Sequence, residues 1–238
     1  MEGAGYCVHG PVQNNIASVT KLYSSAVQAL FQGGIHLNDA RTWPHHHPIR
    51  APYRNREGAQ AVVQDCVMDV IDIHPLLASL ASVAITIKGR TLRRVHVRFP
   101  CTNNPTWSPP LLGWHVERGA GGGLSRTCIV HASTVRAGGG AVVVVVGSHI
   151  AVQRVLYSRL LPVCVRCSFL FHVALGYVIA FAAYVFRIWE IREVIAESGG
   201  VISMHPMLVH APSRNVSSVP RLTCQVKFYT NVPTASAL

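Results

Sequence analysis

Apolar positions near the start of the chain fall close to helical spacing. Ile16, Val19, Leu22, Tyr23, Val27 and Leu30 stand ahead of Gly33 and Gly34. One side of a helix collects such positions, so NNIASVTKLYSSAVQALFQGG predicts an amphipathic helix with a glycine stop. REGAQAVVQDCVMDVIDIHPLLASLAS repeats the pattern with four acids and breaks at Pro75. Between them RTWPHHHPIRAPYR is a turn-rich connector, and its prolines make His45 to His47 an irregular surface loop rather than a metal cluster. From Thr91 the period changes. TLRRVHVRF alternates as a strand does, and AVVVVVG, GGVISM and RLTCQVKFYT are β-branched runs bounded by Gly, Pro or Ser. Short strands separated by turns predict a jelly roll or barrel, with the helical first third against one face. RIWEIREVIAESGG returns to helical spacing, with Ile188, Ile191 and Ile195 on one side and Gly199 as the stop.

One segment departs from both patterns. Between Glu117 and Glu190 lie 72 residues without Asp or Glu. Within them Cys167 to Phe186 is 20 residues without formal charge, flanked by Arg166 and Arg187. That length suffices for a helix across a bilayer, so the window alone is a transmembrane candidate. Two other readings are a buried or lid element beside an apolar substrate pocket, and sequence foreign to the fold, such as a translated intron or a frame error.

Composition adds limits. The 238 residues suit one domain, or at most two small ones, and half of them are hydrophobic, enough for a substantial core. A net charge of +11 favours anionic substrates, phosphates or acidic lipids. The basic residues are dispersed and form no nucleic-acid reading motif, so no nucleic-acid partner is expected. The glycine clusters GAGGG and AGGGA lack the Lys-Ser/Thr of a phosphate loop and read as turns. Seven scattered cysteines behind an N-terminus without an apolar run suggest reduced thiols and a cytoplasmic protein. Cys164 and Cys167 form a lone CxxC, weak support for zinc or redox work. The terminal SAL only loosely resembles a peroxisomal SKL.

Candidate chemistry begins at GWHVE. On an extended strand positions i and i+2 share a face, so His115 and Glu117 can reach one ion while Val116 turns to the core. Two imidazoles and a carboxylate on one face of a metal make the non-haem iron arrangement, with three positions left for substrates and oxygen. GGVISMHPMLVHAPSRN offers His205 and His210 as the second histidine, and His210, between an apolar run and a turn, stands at a strand end near a rim. Eleven residues later Arg221 opens the next strand, where a guanidinium can hold a carboxylate in two-pronged fashion. His205 and His149 read as structural or rim residues, Asn215 and Ser217 as turn formers, and Trp114 as core.

The order WHVE, GGGAVVVVVGSH, MHPMLVHAPSRN and PRLTCQVKFY is similar to the phytanoyl-CoA dioxygenase family of iron(II)- and 2-oxoglutarate-dependent oxygenases, over about residues 93 to 150 and 199 to 230. The resemblance implies a mainly β protein with flanking helices, a double-stranded β-helix (jelly roll, cupin-like). It implies His115, Glu117 and His210 as iron ligands, with Arg221 on the distal carboxylate of the cosubstrate 2-oxoglutarate. The reaction implied is hydroxylation of a small, unidentified organic molecule with molecular oxygen, and the apolar segment 167–186 favours an apolar substrate. Three departures stand out: Glu117 where the family has Asp, Val146 where it has Pro, and the acid-free segment where it has a charged helical lid. The expected organisation is a single domain over 1–238. Residues 1–92 form a partly helical N-terminal region, 93–150 and 199–230 the jelly-roll core, and 151–198 an atypical apolar insert or lid. Two further function classes remain: a catalytically silent jelly-roll binding protein, and a small basic membrane protein anchored through 167–186.

Overall fold

The helical pattern ahead of Gly33 closes a helix, α1 (Ile16–Gln32), in the computed structural model. The structure describes residues 3–12, 15–43, 60–63, 73–86, 90–101, 106–117, 124–158 and 169–229. Val19, Leu22, Ala26 and Leu30 are the buried face of α1, while Ile16 and Tyr23 turn outward. The second helical stretch divides. Gln60–Val63 is a strand, and α2 (Pro75–Thr86) begins at the proline where the pattern suggested a break. Proline fits the first helical position because its missing N–H has no intrahelical partner to lose. His45 to His47 and the Cys164–Cys167 pair lie outside the described residues.

The remaining elements are β1 (Tyr6–His9), β2 (Gln60–Val63), β3 (Arg90–Arg98), β4 (Leu124–His131), β5 (Val142–Val145), α3 (Ser148–Leu156), α4 (Phe169–Phe186), β6 (Ile191–Val194), β7 (Val201–Met204), β8 (His210–Pro212) and β9 (Arg221–Tyr229). They pair antiparallel into a six-stranded sheet, β1-β7-β4-β9-β3-β2, and a three-stranded sheet, β6-β5-β8. The two face each other as a jelly roll. The fold is mainly β with flanking helices.

Side-chain alternation sorts the layers. On β9, Leu222, Cys224, Val226 and Phe228 pack with Leu22, Leu30 and Leu77 of α1 and α2, outside the large sheet. On β5, Val143 and Val145 face α3 and α4, while Val142 and Val144 meet Ile202, Met204 and Leu208 between the sheets. The same alternation turns Arg221, Thr223, Gln225 and Lys227 of β9 into the interior. A strand with one apolar and one polar face thus gives this jelly roll a cationic interior behind an apolar shell.

One expectation needs correction, and one alternative finds no support. The helical face across Ile188, Ile191 and Ile195 is instead strand β6, paired with β5 so that Val142 lies opposite Val194. The cross-strand bonds to β5 outweigh a weak local period, and Ile188 and Ile195 are left exposed. The spanning candidate is the helix α4 laid along the outside of the small sheet, with Ile179, Ala180 and Ala183 buried against Trp114, Val116 and Val143. Among the described residues no helix is long and apolar enough to cross a membrane. The outward stripe of α4 is apolar too, with Val178 64% and Phe181 63% exposed. That is why its sequence has no polar side.

Gly176 fixes how closely α4 sits. A Cβ there would stand 2.7 Å from Cα of His115, 2.9 Å from its backbone nitrogen and 3.1 Å from the carbonyl carbon of Trp114. The helix supplies its glycine where its backbone meets the strand carrying His115.

Candidate functional site

Residues Gly113 to Glu117 run alongside β8 and extend the small sheet. His115 and His210 form an antiparallel bridge in which each backbone N–H donates to the other's carbonyl at 3.0 Å. Residues opposed in this way project their side chains to the same face. Their rings accordingly meet with centroids 4.3 Å apart. Glu117, two residues on, shares the face, and its N–H donates to the Pro206 carbonyl at 3.0 Å. Trp114 and Val116 point the other way, into the cluster under α4. One ligand atom each from His115, Glu117 and His210 lie within 4.8 Å of one another.

The backbone also sets the tautomers. Nδ1 of His115 lies 2.7 Å from the Gly113 carbonyl and Nδ1 of His210 lies 2.9 Å from the Leu208 carbonyl. A carbonyl only accepts, so each ring donates from Nδ1 and turns Nε2, the other ring nitrogen, to the site. Burial, with His210 alongside, holds the His115 imidazole down at about 4, so it is neutral at pH 7. Burial opposes ionisation of Glu117, but His210, Lys227 and His115 around it prevail and hold its carboxyl below the usual range. A neutral His115 imidazole and an ionised Glu117 carboxylate are the states in which those two groups ligate a divalent cation.

Two residues of β9 complete the surroundings of Glu117. Lys227 Nζ donates to Oε2 at 2.5 Å and Gln225 Nε2 donates to Oε1 at 3.3 Å, while His210 Nε2 stands 3.7 Å from Oε1. Spacing within GWHVE and HPMLVH pointed to the three clustered groups but not to these. Their signal was the i, i+2 alternation running from Arg221, which became informative only once the face of β9 was known.

Further along the interior, Arg221 is buried and donates from Nη1 to the Gly140 carbonyl. Gly140 is required there, because it has φ of 78° and a Cβ would meet Asn215 Cβ at 2.8 Å and Arg98 Cδ at 2.9 Å. In the β3–β9 register Arg98 lies directly opposite Arg221, and both are buried. Burial and the charge of Arg98 push the Arg221 guanidinium down to about 9. Glu193, the acid that favours its charge, accepts from the Gly138 and Ala141 N–H groups and the Ser213 hydroxyl. Among the described residues, Nε of Arg221, Thr127 Oγ1 and both ring nitrogens of His131 have no hydrogen-bond partner. This interior is short of acceptors and of negative charge, a setting that suits a carboxylate ligand.

His131 carries a pH dependence. Burial, then Arg221, lowers its imidazole to about 3. The folded chain keeps it neutral, whereas the unfolded chain protonates it below its ordinary 6.5, so stability is lost as pH falls from 6.5 toward 3. At about 1.4 kcal/mol per pH unit, it contributes a loss of about 2 kcal/mol between pH 6.5 and 5. Urea unfolding at the two pH values should show it, and His131→Leu should flatten the dependence by that amount.

Other singled-out residues lie elsewhere. His205 and His149 pack on each other with ring centroids 5.1 Å apart, and neither belongs to the His115, Glu117 and His210 group. Asn215 Oδ1 accepts from the N–H and hydroxyl of Ser217, and its Nδ2 donates to the Arg98 and Val219 carbonyls, which ties the turn before β9 to β3. Val146 uses its N–H to bond the Glu190 carbonyl at 2.9 Å, a bond that proline would forfeit. A shallow pocket of about 130 Å³, lined by Leu111, Trp114, Tyr177, Phe181, Tyr184 and Ile191 among others, lies on the α4 side of Trp114. Strand alternation puts it on the opposite face from His115, so it does not open onto the three clustered groups.

No protein-family model matches the chain, and no curated protein resembles it in sequence. Solved structures resemble it in fold. The epimerase SnoN, in complex with Fe3+, alpha ketoglutarate and nogalamycin RO, is 15% identical with a TM-score of 0.55, over 95% of this chain and 79% of that one. SnoK, a non-heme alpha ketoglutarate dependent carbocyclase from nogalamycin biosynthesis, is 18% identical with a TM-score of 0.53, over 96% and 81%. AviO1 from Streptomyces viridochromogenes Tue57 is 16% identical with a TM-score of 0.51, over 96% and 90%. At these identities the likeness establishes the jelly-roll fold.

Proposed function

We propose that the protein is an iron(II)- and 2-oxoglutarate-dependent dioxygenase that hydroxylates a small organic molecule, and that it is a divergent relative of the phytanoyl-CoA dioxygenases. The observation that carries the reading is the convergence of His115, Glu117 and His210 on one interior face of a jelly roll. The fold neighbours SnoN and SnoK, whose names specify alpha ketoglutarate, support the same class.

In this reading the two Nε2 atoms and the Glu117 carboxylate hold Fe(II), and the Gly113 and Leu208 carbonyls keep both rings in the ligating tautomer. Bound iron supplies the coupling of dioxygen reduction to oxidative decarboxylation of 2-oxoglutarate, giving succinate, carbon dioxide and a hydroxylated product. Arg221 anchors the distal carboxylate of the cosubstrate, with Arg98 adding positive potential beside it. The apolar layers of the jelly roll keep bulk water from the reacting face. Arg221→Gln is expected to weaken 2-oxoglutarate binding by about 100-fold, roughly 3 kcal/mol for a buried charge-assisted contact. Calorimetric titration of 2-oxoglutarate into the metal-loaded protein measures it, and metal affinity should stay within a few-fold.

The reading is tested by succinate formation from 2-oxoglutarate with Fe(II) and oxygen across a panel of small organic substrates. Turnover lost on chelation of iron supports it. No turnover together with no metal-dependent 2-oxoglutarate binding would leave a jelly-roll binding protein.

A further inference from the structure

We infer that Lys227 is a positioning residue that restricts Glu117 to ligating the metal through one oxygen, Oε1. The inference rests on the iron reading of the site and concerns the substitution of Glu for the usual Asp. An octahedral ion held by two imidazoles and one carboxylate oxygen keeps three positions open. Two are needed to chelate a 2-oxo acid and the third to admit oxygen. A carboxylate that swings round and binds through both oxygens takes one of the three, and the site then accepts the cosubstrate or oxygen but not both. Glutamate has one more rotatable bond than aspartate and so more freedom to make that swing.

The structure sets a restraint against it. The two oxygens of Glu117 have different partners: Lys227 Nζ holds Oε2 at 2.5 Å, while Oε1 is the oxygen facing His210 Nε2, at 3.7 Å. Gln225 Nε2 steadies Oε1 from the β9 side at 3.3 Å. The pair is well shielded, with side-chain exposure of 15% for Lys227 and 7% for Glu117, so water competes weakly for Oε2. Lys227 and Gln225 lie two residues apart on a strand paired on both sides, and their backbone has no slack with which to follow a rotating carboxylate. An ammonium bound to Oε2 competes with a metal for that oxygen, and a cation repels a second cation there.

The test loads the full-length protein with Mn(II) and counts exchangeable metal-bound waters by water-proton relaxation, without cosubstrate. Wild type should show three, and Lys227→Met two, because the released Oε2 displaces one. Lys227→Gln, which keeps a polar head, should also show two, and Lys227→Arg, which keeps the charge, three. Whichever neutral variant folds suffices. Three waters in a folded neutral variant would overturn the inference while leaving the metal site intact. If wild type binds no Mn(II), the iron reading itself fails, which is a different result from the first. A merely structural lysine would change the melting temperature and leave the water count alone.

Discussion

Replacing His210 with alanine is expected to abolish stable metal binding, lowering Mn(II) or Fe(II) affinity by at least about 100-fold. Residues that merely orient metal ligands already cost roughly 10- to 100-fold. The substitution removes one of two imidazoles, and with it the ring that presents Nε2 toward Glu117 Oε1. It leaves the backbone bridge to His115 in place, because both bonds of that bridge are main-chain. The fold should therefore survive, so circular dichroism and melting of the metal-free variant should stay close to wild type while equilibrium dialysis loses the metal. His205→Ala, at the neighbouring histidine pair, should bind metal as wild type does.

Gly176 carries the second large effect. A methyl group there meets backbone atoms of Trp114 and His115 that no rotamer change can clear. Either α4 lifts from the small sheet or the strand bearing His115 shifts. Overpacking of this kind costs about 1–3 kcal/mol. For a chain of this size that is a fall in melting temperature of roughly 2–12 °C. Gly176→Val should in addition weaken metal binding, because displacement of His115 by about 1 Å is the scale at which site geometry fails. Ala174→Val, on the exposed stripe of the same helix, should leave both within about 0.5 kcal/mol of wild type. Differential scanning calorimetry and metal titration of the two variants separate contact from helix propensity.

This contact also explains where the sequence could be read and where it could not. Strands with one apolar side, β3 and β9, were legible from alternation because each has a helix layer on one side and the polar interior on the other. Strand β6 was not, since its identity comes from pairing with β5 and its own residues keep no clean period. For α4 the ambiguity has a definite cause. Its inner side is buried in the core and its outer stripe is also apolar, so a hydropathy window meets a continuous run and cannot separate a packed helix from a spanning one. What distinguishes them is Gly176 against His115, a relation between residues 61 positions apart that no window contains.

The candidate site divides in the same way. His115 and Glu117 were readable from the i, i+2 rule, and His210 and Arg221 from their order and spacing. The structure brings the first three together and puts Arg221 deeper in the same interior. Lys227, Gln225, Arg98 and His131 were not readable, because their approach depends on sheet register. The register sets Arg98 opposite Arg221, and strand alternation aims Lys227 at Glu117.

The central claim is that these three residues hold one divalent ion that in turn binds a 2-oxo acid. Anaerobic titration tests it most directly: Fe(II) into the metal-free protein, then 2-oxoglutarate into the product, with wild type and the His210→Ala variant in parallel. The account predicts one Fe(II) per wild-type chain, one 2-oxoglutarate bound only after iron, and neither in the variant. Iron binding undiminished by His210→Ala, or 2-oxoglutarate binding of equal strength with and without metal, would contradict it.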